Sequence, residues 1–158
     1  MAPAGTKTVA SNRKARHDYF IIDVVEAGLV LVGSEVKSLR TGQVQLADAY
    51  ARVRHGECWL EGVHIAPYAN ATGFGAHDPD RPRKLLLHAD QIERLGARVA
   101  QERLALVPLS IYFKDGRAKV ELALAKGRTK GDRRQAIAER DAKAEVERSL
   151  GRQRKGSE

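Results

Sequence analysis

Two apolar runs face each other across Asp115-Gly116, and no other feature of the chain constrains its fold as much. In the first, Leu106 to Phe113, Leu109, Ile111 and Phe113 alternate with polar or smaller residues. In the second, Arg117 to Leu124, Val120, Leu122 and Leu124 do the same. Asp-Gly is a preferred two-residue hairpin turn because both central positions need a left-handed backbone. The period-two pattern therefore predicts a hairpin with Leu109, Ile111, Phe113, Val120, Leu122 and Leu124 turned to a core. Pro108 lacks an N–H and is expected at a strand start or on an edge.

Upstream, the stretch Asn12 to Arg40 begins with the cations Arg13, Lys14 and Arg16, then becomes apolar and β-prone from Tyr19 to Val25. Glu26-Ala27-Gly28 reads as a turn into a second apolar run, Leu29 to Val32. Ser34 is positioned to cap a short helix, Glu35 to Leu39, with Glu35 near its positive end. Val36 and Leu39 then face the core, while Lys37 and Arg40 share a wet face. Two more strands, Tyr50 to Val53 and Cys58 to Gly62, flank His55-Gly56, and Val63 to Ile65 extends the second. Pro67 to Arg83 forms a long loop rich in Gly and Pro, of a length that is usually functional or disordered. Arg81, Arg83 and Lys84 end it as a charge cluster, and Leu85 to Leu87 return to the core. Asp90 to Arg103 predicts a helix from Ile92, Leu95 and Val99 at helical spacing.

The ends differ in character from this middle. Met1 to Ser11 is small and polar and is expected to be mobile. From Lys126 onward about half the residues are charged, with Ile137, Val146 and Leu150 the only large aliphatics. Such a segment cannot bury a face, which predicts a disordered tail that becomes helical on binding. Residues 1–11, 12–125 and 126–158 are thus expected to be a flexible segment, a barrel and a tail. Several short strands with inserted helices suit a small barrel of the oligonucleotide-binding type, although the pattern alone leaves an α+β sheet open.

The net charge of +8 over 158 residues points to nucleic acid or an anionic surface. No apolar run approaches the ~18 residues of a membrane span, so no membrane partner is expected. Cys58 is the only cysteine, which excludes an internal disulfide and a cysteine-held zinc and fits a reducing cytoplasm. The five histidines, His17, His55, His64, His77 and His88, lack paired metal-ligand spacing. His77, Asp78 and Asp80 read better as a turn than as a metal site. Neither a phosphate-cradling Gly loop nor a nucleophile elbow is present. The expectation from these residues is a nucleic-acid binder without enzyme signature, cofactor or metal, acting as a monomer. Arg13, Lys14, Arg16, His17, Lys37, Arg40 and Lys84 are its candidate RNA-facing residues. Tyr19 suits base stacking and strand core equally.

The segments NRKARHDYFI, EAGLVLVGSEVKSLR and RPRKLLLH closely resemble the SsrA-binding protein family, also called small protein B. The resemblance covers about Asn12 to Arg134. It implies an OB-like antiparallel β-barrel with flanking short helices, partnered with transfer-messenger RNA and the ribosome in trans-translation. The barrel would grip the tRNA-like domain in place of its missing anticodon arm. The tail would enter the decoding site and empty messenger channel. By resemblance, Asn12, Tyr19, Glu26 and Leu86 lie in or support the RNA surface, where Glu26 can accept from a base amino group or orient a neighbouring cation. Lys126, Arg128, Lys130, Asp132, Arg133 and Arg134 match the family's basic tail and its Asp-Lys-Arg segment, with Arg133 for Lys. Gly131 stands where relatives often carry His or Tyr, which removes a stacking side chain.

Two other classes compete. A plain ribosomal or tRNA-binding module has no need of the run from Lys126 to Arg134. A small RNA-processing enzyme would show metal-dependent activity.

Overall fold

The computed structural model describes residues 6–68 and 77–128. The strands are β1 (Thr6–Ser11), β2 (Tyr19–Leu29), β3 (Val44–Gln45), β4 (Tyr50–Arg54), β5 (Glu57–Glu61), β6 (His64–Ile65), β7 (Arg83–Leu86), β8 (Ala105–Lys114) and β9 (Arg117–Gly127). The helices are α1 (Arg13–Asp18), α2 (Gly33–Arg40) and α3 (Ala89–Glu102). Every strand pairing is antiparallel. The order β8-β4-β5-β7-β2-β9 returns to β8, because β9 also pairs with β8, so the ring closes. This is the barrel the sequence led us to expect, with α1, α2 and α3 beside it. The chain divides into two compact units, Met1–Gly127 and Arg128–Glu158. The second lies, apart from Arg128, outside the described residues.

The hairpin forms as predicted. Asp115 and Gly116 take φ of 51° and 80°, and Lys114 faces Arg117 across the turn. Its packing is less simple than strict alternation. The register shifts between Pro108 and Ser110, so the side chains before and after face differently. Ile111 and Phe113 belong to the barrel core with Val120, Leu122 and Leu124. Leu109 instead joins Val107, Ala123, Ala125 and Ala15 in a second cluster beneath α1. Pro108 pairs with Leu122 of β9 on one side but falls between the stretches of β8 that β4 and β1 cover on the other, the edge-like position expected for a residue without an N–H.

Three further expectations are corrected by pairing partners that the sequence does not display. Thr6–Ser11, expected to be mobile, is strand β1. β4 meets β8 only at Ala51↔Leu106, and β1 pairs with β8 from Ser110 to Lys114. Glu26-Ala27-Gly28 is no turn. β2 runs straight through it, pairing with Glu121, Val120 and Lys119. Gly28 is needed for close approach: a Cβ there would come within 3.1 Å of the Leu86 side chain. Val63–Ile65 does not extend β5. Gly62 turns the chain with φ of 78°, where a Cβ would meet the Asp48 carbonyl at 2.8 Å. His64–Ile65 then pairs with β3 instead.

Three side chains also depart from expectation. Ser34 does not cap α2; Val32 is the cap, and its N–H donates to Glu35 Oε1 at 2.9 Å. Leu86 is 55% exposed, whereas Leu85 is buried. Arg83 belongs to no surface cluster. It is fully buried beside the equally buried Glu35, with Nε 2.7 Å from Glu35 Oε2. Its Nη1 donates to Val63 O at 2.7 Å, and its Nη2 to Pro79 O at 3.0 Å. Arg81 is a second donor to Glu35. One buried carboxylate thus joins α2, the end of the long loop and β7.

Leu122 is fully buried in the ring. Leu122→Ala should cost about 2–5 kcal/mol, as for buried leucines generally. An unchanged melting temperature would contradict its place in the core.

Candidate nucleic-acid interface

In an antiparallel sheet, directly opposed residues share a face. Thr8 opposes Tyr112, Tyr112 opposes Lys119, Lys119 opposes Gly28, and Gly28 opposes Leu86. One side-chain row therefore crosses β1, β8, β9, β2 and β7. The row beside it is Ser110, Glu121 and Glu26, and the row toward the hairpin tip is Thr6, Lys114 and Arg117. The intervening residues Val120, Leu122 and Ala27 are buried in the barrel, so all three rows point outward. They form a continuous platform of cations, one phenol, two carboxylates and an exposed leucine.

Its polar groups hold one another in place. The Tyr112 hydroxyl donates to Glu26 Oε2, and Lys114 Nζ lies 3.5 Å from Glu26 Oε1. The Tyr112 bond keeps the Glu26 carboxyl below the usual carboxylate range; burial opposes this, and Lys114 and Lys119 assist it. Burial, and then Glu26, push the Tyr112 phenol up. At neutral pH the pair is therefore a fixed phenol donor on a fixed carboxylate. Glu26 thus holds the Tyr112 hydroxyl and has Lys114 beside it.

Helix α1 borders the platform, and Asn12 explains why the helix starts where it does. Asn12 is 3% exposed, and its Oδ1 accepts from Ala15 N at 3.1 Å. Its Nδ2 donates to Leu46 O at 3.1 Å and Pro108 O at 2.9 Å. Asn12 is thus a buried cap that pins α1 to β8. Arg13, Lys14, Arg16 and His17 follow on the helix and are exposed. Arg16 Nη2 reaches Glu121 Oε1 at 3.5 Å, which joins α1 to the platform. Lys14 is held by Asp48 at 2.9 Å, and His17 by Asp18 at 2.9 Å. Tyr19 is half-buried against the second cluster.

The other candidates are more dispersed. Lys84 lies two residues before Leu86 in β7, near Glu57 at 3.4 Å. Lys37 and Arg40 stay exposed on α2, as expected, but outside the three rows. Lys37 stands 5.4 Å from the Tyr68 ring centre and Arg40 5.1 Å from that of Phe113. Lys126, assigned to the tail, is instead in β9 opposite Phe20, and Arg128 is the next residue but one. Lys130, Asp132, Arg133, Arg134 and Gly131 lie outside the described residues.

Sequence reasoning missed Tyr112, Lys114, Arg117 and Lys119. Their signal was the polar half of the alternation that revealed the hairpin. His77, by contrast, bonds Ser34 Oγ at 2.7 Å and Ile65 O at 3.0 Å. Asp78 accepts from Asp80 N at 3.0 Å, as a turn residue does. Among the described residues, no helix is long and apolar enough to cross a membrane.

Comparison with known proteins gives this geometry a family. The SmpB protein family model matches residues 9–152. The SsrA-binding protein of Mycolicibacterium smegmatis is 57% identical over 155 residues, covering 98% of this chain and 96% of the relative. That of Desulforudis audaxviator is 55% identical over 149 residues, covering 94% and 97%. A solved chain described as "tmRNA-SmpB: a journey to the center of the bacterial ribosome" aligns with a TM-score of 0.65 and 45% identity, over 85% of this chain and 95% of that one. With its closed barrel, its basic outer platform and these matches over most of its length, the chain belongs to the SmpB protein family.

Proposed function

We propose that this protein is a ribosome-rescue factor that binds the tRNA-like domain of transfer-messenger RNA and delivers it to stalled ribosomes for trans-translation. It acts in the cytoplasm by binding and not by catalysis. The observation that carries the reading is the outward platform Tyr112–Lys119–Gly28–Leu86, with Lys114, Arg117 and Arg16 around it. Fixed cations neutralise phosphates, while Tyr112 and Leu86 offer a flat phenol and an apolar contact to exposed bases. Asn12 and Glu26 hold this surface in shape. Arg13, Lys14, His17, Lys37, Arg40 and Lys84 extend the cationic field around it. The family relatives named for SsrA binding, and the solved complex with this RNA, support the same reading. The segment from Arg128 onward would supply the contact with the decoding site and messenger channel.

Salt titration of the affinity for transfer-messenger RNA is the direct experiment. Log affinity should fall linearly with log salt, because cation–phosphate contacts release counterions. Lys119→Ala and Arg16→Ala should each reduce that slope by about 0.7–0.9 for every phosphate left without its cation. A flat salt dependence would rule this platform out as a phosphate-binding surface.

A further inference from the structure

Beside α1 lies a groove of about 450 Å³ whose lining includes Asn12, Lys14 and Tyr19, together with Asp48 and Tyr50, which the platform does not use. Its floor is apolar, made by Ala15, Ala51, Leu104, Leu106 and Val107. Its rim carries Tyr19 and Tyr50, with Lys14, Asp18 and Asp48 beside them. Tyr50 is 45% exposed although it is a large aromatic in a strand. The Asp48 side chain is 83% exposed; its Oδ1 takes Lys14, while Oδ2 has no hydrogen-bond partner among the described residues. An apolar slot with two phenol rings and a solvent-facing carboxylate matches few ligands.

We propose that this groove takes one unpaired nucleobase of the bound RNA, and that guanine fits it best. The proposal rests on the RNA-binding reading above. A base face has the flat apolar character of the floor, and phenol rings provide stacking surfaces. Recognition of the base edge follows from charge. A carboxylate accepts hydrogen bonds and donates none, so Asp48 selects a base edge that presents N–H groups. Guanine presents two adjacent ones, N1–H and the N2 amino group, and a carboxylate can accept both. Uracil presents a single N–H between two carbonyl oxygens, which the carboxylate repels. Lys14, drawn to the rim by Asp48, is placed to meet the adjoining phosphate. Asp48 would be out of place on a surface that only attracted phosphates, since its charge opposes them.

That opposition provides the test. The full-length chain is titrated with the single-stranded pentamers UUGUU, UUIUU and UUUUU, where inosine lacks the N2 amino group. Amide shifts and affinity are read for the unaltered protein and for Asp48→Asn, Tyr50→Ala and Tyr50→Phe. UUGUU should bind roughly tenfold more tightly than UUUUU, with UUIUU between them, as the loss of hydrogen bonds to a charged group predicts. Shifts should concentrate at residues 12–19, 47–51 and 104–107. Asp48→Asn should weaken UUGUU roughly tenfold, although removing a negative charge strengthens simple phosphate attraction. Tyr50→Phe should bind normally and Tyr50→Ala should not, with melting temperatures near that of the unaltered protein. Equal affinity for the three pentamers, or tighter binding by Asp48→Asn, would overturn the proposal. Binding of full transfer-messenger RNA is measured in parallel. If it persists while the groove variants have no effect, only the groove assignment fails; if it is absent, the function proposed above fails.

Discussion

Replacing Arg83 by methionine should cost about 3–5 kcal/mol of stability, the range for removing one partner of a buried ion pair. The loss comes less from the missing attraction than from the charge left behind. Glu35 has no exposed side-chain surface and would keep only Arg81 and the Val32 N–H. The Val63, Asp78 and Pro79 carbonyls would lose their shared donor as well. Removing both charges with Glu35→Gln and Arg83→Met should cost less than the sum of the single changes, because the two residues are directly coupled. The pair also sets an acid limit. Burial pushes the Glu35 carboxyl up, but Arg81, the Val32 N–H and Arg83 together outweigh it, so its pKa is lowered in the fold. A lowered pKa contributes stability that is present above the unfolded value, about 4.3 for Glu, and is lost as pH falls through the folded one. Without Arg83 the downward pull weakens while burial persists, so acid unfolding should begin at higher pH. Urea denaturation between pH 7 and pH 3 measures both effects. A loss below 1 kcal/mol at neutral pH would mean that Glu35 is solvated in the folded protein.

The second large effect should appear on the ribosome and leave RNA affinity almost untouched. We expect a chain ending after Arg128 to bind transfer-messenger RNA within about threefold of the full protein, because the phosphate contacts that carry affinity remain on the barrel. Peptide tagging on stalled ribosomes should be abolished, since Lys130, Arg133 and Arg134 are gone. Arg133→Ala combined with Arg134→Ala should act in the same direction. The point of truncation matters. Ending the chain after Ala125 removes Lys126 and Gly127, which pair with Phe20 and Tyr19, so that shorter protein should also be less stable. Gel-shift affinity, thermal melting and tagging in a reconstituted translation system separate these outcomes. Full-rate tagging by the chain ending after Arg128 would remove the tail from the rescue function and favour a plain RNA-binding module.

The sequence by itself determined what depends on neighbours along the chain. Alternation around Asp115-Gly116 specified the hairpin, helical spacing of Ile92, Leu95 and Val99 specified α3, and the excess of lysine and arginine indicated a polyanionic partner. Tertiary structure decided what depends on residues remote in sequence. Gly28 looked like a turn because Leu86, the side chain it makes room for, lies far along the chain. Thr6–Ser11 looked mobile because the open edge of β8 that orders it is invisible from its own composition. Leu109 left its expected face because a register shift, set by pairing with β9, rotates the strand. Arg83 looked like part of a charge cluster, and Glu35 like a helix-end carboxylate, because composition records charge without its partner; only folding supplies the hydrogen bonds that make their burial tolerable. The platform was barely legible for the same reason. Arg16 at its border could be read along the chain, but Tyr112, Lys114, Arg117 and Lys119 were passed over as the polar half of a hairpin, and their assembly into rows across β1, β8, β9, β2 and β7 belongs to the closed ring.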